Sequence, residues 1–137
     1  MFHFDMDRNT MGRAGEFFAA YILERYAVEC HHTDREGTDL WCRAPNGYIF
    51  TVQVKTTTEP KATGTHNDTT YSYYRFSHNA PNQSFDYYCF VALDQHLIRL
   101  LPKSTFKPDQ QTFSFKQSKF SPDLQAKDLE VVKTINI

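Results

Sequence analysis

An excess of charge of one sign is the first thing this sequence lacks: its 137 residues carry a formal −1 at pH 7. That balance argues against a histone-like coat held to nucleic acid by bulk charge, because such binding scales with the phosphates neutralised. It leaves room for a local basic groove. Acids lead in residues 1–59 and bases in 101–137, where Lys103, Lys107, Lys116 and Lys119 are candidates for one, beside the reading of an ordinary solvated surface. Cysteine is scarce too. Cys30, Cys42 and Cys89 are odd in number and widely spaced, so they offer no zinc spacing and predict buried reduced thiols in a cytosolic protein. The start Met1-Phe2-His3-Phe4-Asp5 has neither a basic opening nor a long apolar run, so no leader is expected, and no stretch reads as a membrane span. Repeats and an internal boundary are absent as well. The length suits one core, so a single domain over 1–137 is expected, with 104–137 as a C-terminal extension.

What is present is aromatic, at 15% of residues. Asn9 or Thr10 can cap a helix running to about Tyr26, with Ala14, Phe17, Phe18, Tyr21, Ile22 and Leu23 at helical spacing. Ala27 to His32 reads as a strand, and His31 and His32, being adjacent in it, point to opposite faces and cannot share one metal ion. They are taken as ordinary polar residues. Residues 56–68 form a long polar stretch without periodicity, expected as a loop that contacts substrate or is simply flexible. Tyr71–Phe76, Phe85–Leu93 and His96–Leu101 read as strands, the second of them central and the last ended by Pro102. Phe113-Ser114-Phe115 suggests a short strand, and Ser121-Pro122-Asp123 a helix start leading into Leu124, Ala126 and Leu129.

Between Gly37 and Thr56 two apolar-alternating runs flank the tip Pro45-Asn46-Gly47. This is a hairpin signal, because Pro fixes φ and Gly accepts the left-handed conformation that closes the loop. A three-residue loop sets Ala44 opposite Tyr48, and counting outward sets Asp39 opposite Gln53, with Lys55 two residues further along the same side. Phe50, Val52 and Val54 on the other face predict core. A carboxylate, an amide and an ammonium then meet at the end of an apolar hairpin, which is costly unless something binds there. Glu16, among the small residues Gly12, Gly15, Ala19 and Ala20 that let a helix approach a sheet closely, can reach toward Asp39.

Magnesium prefers one or two carboxylates and neutral oxygens beside water and substrate phosphate. Asp39 and Glu16 offer the charge, and the Gln53 amide oxygen and the Val54 backbone carbonyl the neutral ligands. Lys55 can orient or deprotonate the attacking water and stabilise charge developing on the phosphorus oxygens, a set suited to phosphodiester hydrolysis. Arg75 is a further phosphate contact, with Thr56 and Lys61 in the polar stretch behind Lys55 as substrate contacts. From the hairpin alone, a hydrogen-bonded Asp–Gln–Lys surface cluster is an equally good reading.

The segments Gly12-x-x-Gly15-Glu16, Gly37-Thr38-Asp39 and Val52-Gln53-Val54-Lys55-Thr56 resemble the PD-(D/E)xK nuclease superfamily, in particular the branch of group I intron-encoded homing endonucleases in which Gln replaces the second acid. The likeness spans about residues 9–103, taking in Phe85–Val91 and Ile98–Pro102, and archaeal Holliday-junction resolvases share the same pattern. It implies an α/β, restriction-endonuclease-like core, a mixed sheet flanked by helices in the order α-β-β-β-…-β-β. It further implies Mg²⁺-dependent cleavage of duplex DNA, Mn²⁺ substituting, by a homodimer or homotetramer in the cytoplasm, nucleoid-associated if bacterial or phage. By motif position Asp39 matches the metal-binding aspartate, Gln53 the usual second acid, Lys55 the catalytic lysine and Glu16 the helix glutamate. Two departures stand out. Thr38 replaces the usual Pro, and Gln53 removes one negative charge, which leaves open a catalytically silent DNA-binding or assembly module.

Overall fold

The structure, a computed structural model, describes residues 7–33, 38–60, 62–66, 69–78 and 83–124, with the backbone alone for 62–66 and 69–72. The single α-helix among these residues, α1 (Arg8–Glu24), begins earlier than Asn9 or Thr10 would set it. Asp7 is the cap: its carboxylate accepts the Thr10 N–H at 2.7 Å, satisfying a donor that has no partner inside the helix. At the other end the Ala27 N–H donates to the Glu24 carbonyl and the Val28 N–H to the Leu23 carbonyl, with Ala27 at φ 63°. This is a Schellman closure that uses Ala where Gly is the usual residue. The turn consumes residues 25–28, so β1 (Glu29–His32) starts two residues later than expected.

The helix buries Gly15, Ala19, Ala20, Ile22 and Leu23. Phe17 and Tyr21, which share the helical spacing of Ile22 and Leu23, are 57% and 60% exposed. The small residues occupy the contact face because backbone meets sheet there. A Cβ on Gly15 would lie 1.9 Å from Thr56 Oγ1, whereas Gly12 has nothing within 4 Å and is no packing residue.

β1, β2 (Leu40–Arg43) and β3 (Ile49–Thr57) form an antiparallel meander. Parallel to β3 runs β6 (Tyr87–Ala92), and β7 (Leu97–Pro102) closes the sheet, giving the order β1-β2-β3-β6-β7. A parallel pair needs a crossover, most often a helix. Here it is a β-hairpin, β4 (Ala62–His66) with β5 (Thr69–Ser77), which β8 (Thr112–Lys116) extends into a second, three-stranded sheet. So part of the polar stretch expected as a loop is strand, and among the described residues a sheet, not a second helix, covers the face away from α1. Ser121 does not start the suggested helix: it bridges to Ile98, and the residues that follow it up to 124 are not helical, while Ala126 and Leu129 lie outside the described residues.

Two cores result. Ala19, Ile22, Leu23, Leu40, Val52, Val54, Val91 and Leu100 fill the layer under α1. Tyr74, Phe76, Phe85, Tyr88, Phe90 and Phe113 fill the layer between the sheets. β6 serves both, sending Cys89 and Val91 one way and Tyr88, Phe90 and Ala92 the other, as a strand buried on both faces does. The cysteines are free thiols. Cys30 and Cys42 face each other across β1 and β2 with Sγ atoms 3.7 Å apart, and the contact with Cys30 together with burial pushes the Cys42 thiol up. No helix among the described residues is long and apolar enough to cross a membrane.

Candidate active site

The hairpin tip closes as its residues dictate. The Ala44 N–H donates to the Tyr48 carbonyl and the Gly47 N–H to the Ala44 carbonyl, both at 2.9 Å, with Gly47 at φ 91°. From there the register runs as counted, Cys42 opposite Phe50 and Leu40 opposite Val52. It changes at Asp39, whose N–H donates to the Val52 carbonyl, the residue already opposite Leu40. Two residues facing one make a bulge. Asp39 is therefore not squarely opposite Gln53; its carboxylate turns in and accepts the Val54 N–H at 2.7 Å, taking the place of a ladder carbonyl.

Because Val52 and Val54 face the helix, Gln53 and Lys55 face the second sheet, beside Tyr88 and Phe90 of the parallel neighbour. Asp39, Gln53, Lys55 and the Val54 backbone line one cleft of about 760 Å³. Arg8, Met11 and Gly12 border it from the start of α1, Thr58 and Glu59 from the end of β3, and Arg75, Ser77, His78 and Gln83 from the crossover side. Burial dominates its electrostatics. Desolvation raises the Asp39 carboxyl above its ordinary range, against the Val54 N–H bond and the charges of Lys55 and His32. Desolvation likewise lowers the Lys55 ammonium, against the pull of Asp39. Each charge is thus poorly solvated, and each offsets part of the other's cost.

Glu16 is half-buried but does not line the cleft; its carboxylate lies 3.8 Å from His32 Nδ1, and the His32 ring is 4.5 Å from Phe17. His32 beside Glu16 is also the smallest of the influences acting on Asp39. Thr56 borders the cleft, yet its hydroxyl is buried under Gly15, so the side chain joins helix to sheet and does not present its oxygen to DNA. Arg75 is exposed at the cleft edge, and Lys61 lies outside the described residues. Among the described residues, no three His, Cys, Asp or Glu side chains gather as a metal cluster.

Two histidines escaped the sequence reading. His32 faces the helix because it pairs with Leu40, a core position; alternation alone placed the two histidines on opposite faces without saying which face was which. His78 is 4% exposed, its Nδ1 is 2.8 Å from the Tyr88 hydroxyl, and burial, then the Lys55 charge, lowers it to about 4. It sits just past a strand end, before a segment rich in Asn and Pro, where no periodicity flags a buried residue.

The fold is similar to the solved structure of a bacterial homing endonuclease, I-Ssp6803I, with a TM-score of 0.60 over 80% of this chain and 75% of that one, at 15% identity. No family model and no curated protein matches the sequence. The likeness is one of architecture: a mixed five-stranded sheet under a helix, in a restriction-endonuclease-like homing endonuclease fold.

Proposed function

We propose that this chain is a divalent-metal-dependent DNA endonuclease of homing type, a PD-(D/E)xK nuclease with the Gln-x-Lys variant of the motif. The observation that carries this reading is the convergence of Asp39, Gln53 and Lys55 on one cleft, two of them ionisable groups whose charges burial disfavours. Such shifts in a concave site favour a functional over a merely structural cluster. The donor set suits a hard cation, since a desolvated carboxylate beside an amide and a backbone carbonyl gains from added positive charge. Asp39, the Gln53 amide oxygen and the Val54 carbonyl would hold Mg²⁺, with Mn²⁺ substituting; Glu16 supports them through His32. Bound there, the cation would act as a Lewis acid on the phosphodiester and acidify water.

The chain's own residues do the rest. Lys55, its ammonium disfavoured by burial, takes a proton from the attacking water at Nζ and then, charged, stabilises the developing phosphorane oxygens. The Val54 N–H fixes the Asp39 carboxylate, so its orientation is set before substrate arrives. Arg75 holds phosphate at the edge. One cleft cuts one strand, so double-strand cleavage requires at least two copies, a homodimer or homotetramer.

A nicking assay with Mg²⁺ or Mn²⁺ on duplex and four-way substrates tests this. Asp39→Asn should lower cleavage by about a hundredfold or more while shifting stability by less than ~1 kcal/mol, because the amide can still accept the Val54 N–H. Lys55→Ala should lose cleavage and keep DNA binding. Equal cleavage by wild type and Asp39→Asn overturns the assignment of Asp39, and absence of metal-dependent cleavage by wild type leaves a DNA-binding or assembly module. Preference for the four-way substrate makes the enzyme a junction resolvase.

A further inference from the structure

The outer face of the second sheet has a pattern that the catalytic reading does not use. Along β5, Tyr74 and Phe76 turn inward to the aromatic core, so Tyr73, Arg75 and Ser77 turn outward. Their cross-strand partners on β8 are Lys116, Ser114 and Thr112, all exposed. The ladder is thus two cations and four hydroxyls, without a carboxylate. Tyr73, Arg75, Ser114, Phe115 and Lys116 line a groove of about 380 Å³ there. Arg75 also lines the catalytic cleft.

We propose that this groove is a nucleic-acid backbone track continuous with the cleft, Arg75 being the residue common to both and Lys116 the phosphate-binding cation further out. The proposal rests on the nuclease reading and names where its substrate runs. Same-face positions on a strand are roughly 6.8 Å apart, so Arg75 and the Tyr73–Lys116 pair address successive positions along one sugar–phosphate strand. A ladder of cations and hydroxyls binds phosphates and positions a duplex without reading its bases. The sign of the charge selects the occupant: an anionic strand leaving the cleft is attracted to Arg75 and Lys116.

The test is the salt dependence of binding to a mixed-sequence duplex in EDTA, where metal-dependent cleavage is silent. Removing one phosphate-binding cation should reduce the slope of log K against log salt by about 1. Lys116→Gln should show that reduction, and Arg75→Gln with Lys116→Gln should reduce the slope by about 2. Arg43→Gln, at an exposed arginine by the hairpin tip and outside both groove and cleft, should leave it unchanged. Thermal melting checks that each variant is folded, and Lys116→Glu, which reverses the charge, should weaken binding further than Lys116→Gln. A wild-type slope and affinity in Lys116→Gln overturn the track. So does a change in self-association with no change in slope, which would make the face an interface between copies of the chain. Failure of the nuclease reading looks different: wild type would not nick DNA with metal added, whatever Lys116→Gln does to the slope.

Discussion

The two layers that flank the large sheet are built on different principles. Under α1 the layer is mostly aliphatic, Phe50 apart, and thin, with Gly15 laid directly against Thr56. Between the sheets it is aromatic and thick: Phe90 has the rings of Phe76, Tyr88, Phe106, Phe113 and Phe115 within 6 Å. The candidate site belongs to the second layer. Gln53 and Lys55 point into it beside Tyr88 and Phe90, and His78 anchors to the Tyr88 hydroxyl. Sheets facing each other pack about 10 Å apart, and rings that hold them at that spacing leave room at the layer's edge for a cleft. A helix drawn down onto backbone leaves none.

The widest test of this contrast compares neighbours on β6 that face opposite ways. Phe90→Ala should cost about 3–5 kcal/mol and lower cleavage even where the variant stays folded, since Lys55 lies beside it. Val91→Ala, on the aliphatic side, should cost roughly 2 kcal/mol and leave cleavage by the folded fraction intact. Denaturant titration and single-turnover rates read both, and equal loss of cleavage in the two variants would erase the distinction. Next in size is an acid effect confined to the aromatic side. His78 is lowered from 6.5 to about 4, so the unfolded chain binds its proton first. The stability that neutral His78 contributes is complete above pH 6.5 and lost as pH falls toward 4, about 3 kcal/mol in all. Melting curves across that window should flatten in His78→Gln.

On the thin side, Gly15→Ala should cost about 1–3 kcal/mol by forcing helix and strand apart, and Thr56→Ala should recover part of the loss. Full tolerance of Gly15→Ala would show that the layer has slack. Smallest, and opposite in sign, is Ala27→Gly. Relieving a left-handed Ala at the helix end should stabilise the protein by about 0.5–1 kcal/mol, readable as a rise in Tm.

Local chemistry made much of this legible in the sequence. Pro45 and Gly47 specified the turn, the turn specified the register, and the register put Gln53 and Lys55 on the face away from Val52 and Val54. The apolar runs of β6 and β7 were visible for the same reason. What stayed hidden depended on partners distant in sequence. The bulge at Asp39 leaves no trace in hydrophobic alternation, because it trades a backbone acceptor for a side-chain one. β4 is Ala-Thr-Gly-Thr-His, which carries no apolar period, and its partner β5 is completed by β8 nearly forty residues later. Phe17 and Tyr21 misled because large rings at helical spacing normally mean core, while here the buried face had to be small. Glu16 was found as a residue; that it lies against His32 and not in the cleft required the strand pairing.

The excursion between the two parallel strands has a further consequence. It leaves the large sheet after Thr57 and returns at Tyr87, so the wall facing Gln53 and Lys55 is made by the very segment that joins β3 to its neighbour. Lengthening or recutting that one ribbon would remodel the mouth of the cleft while Asp39, Gln53 and Lys55 keep their places. Under the proposed function, a change in what the cleft accepts can thus arise from a single contiguous stretch of gene, with Asp39, Gln53 and Lys55 left untouched.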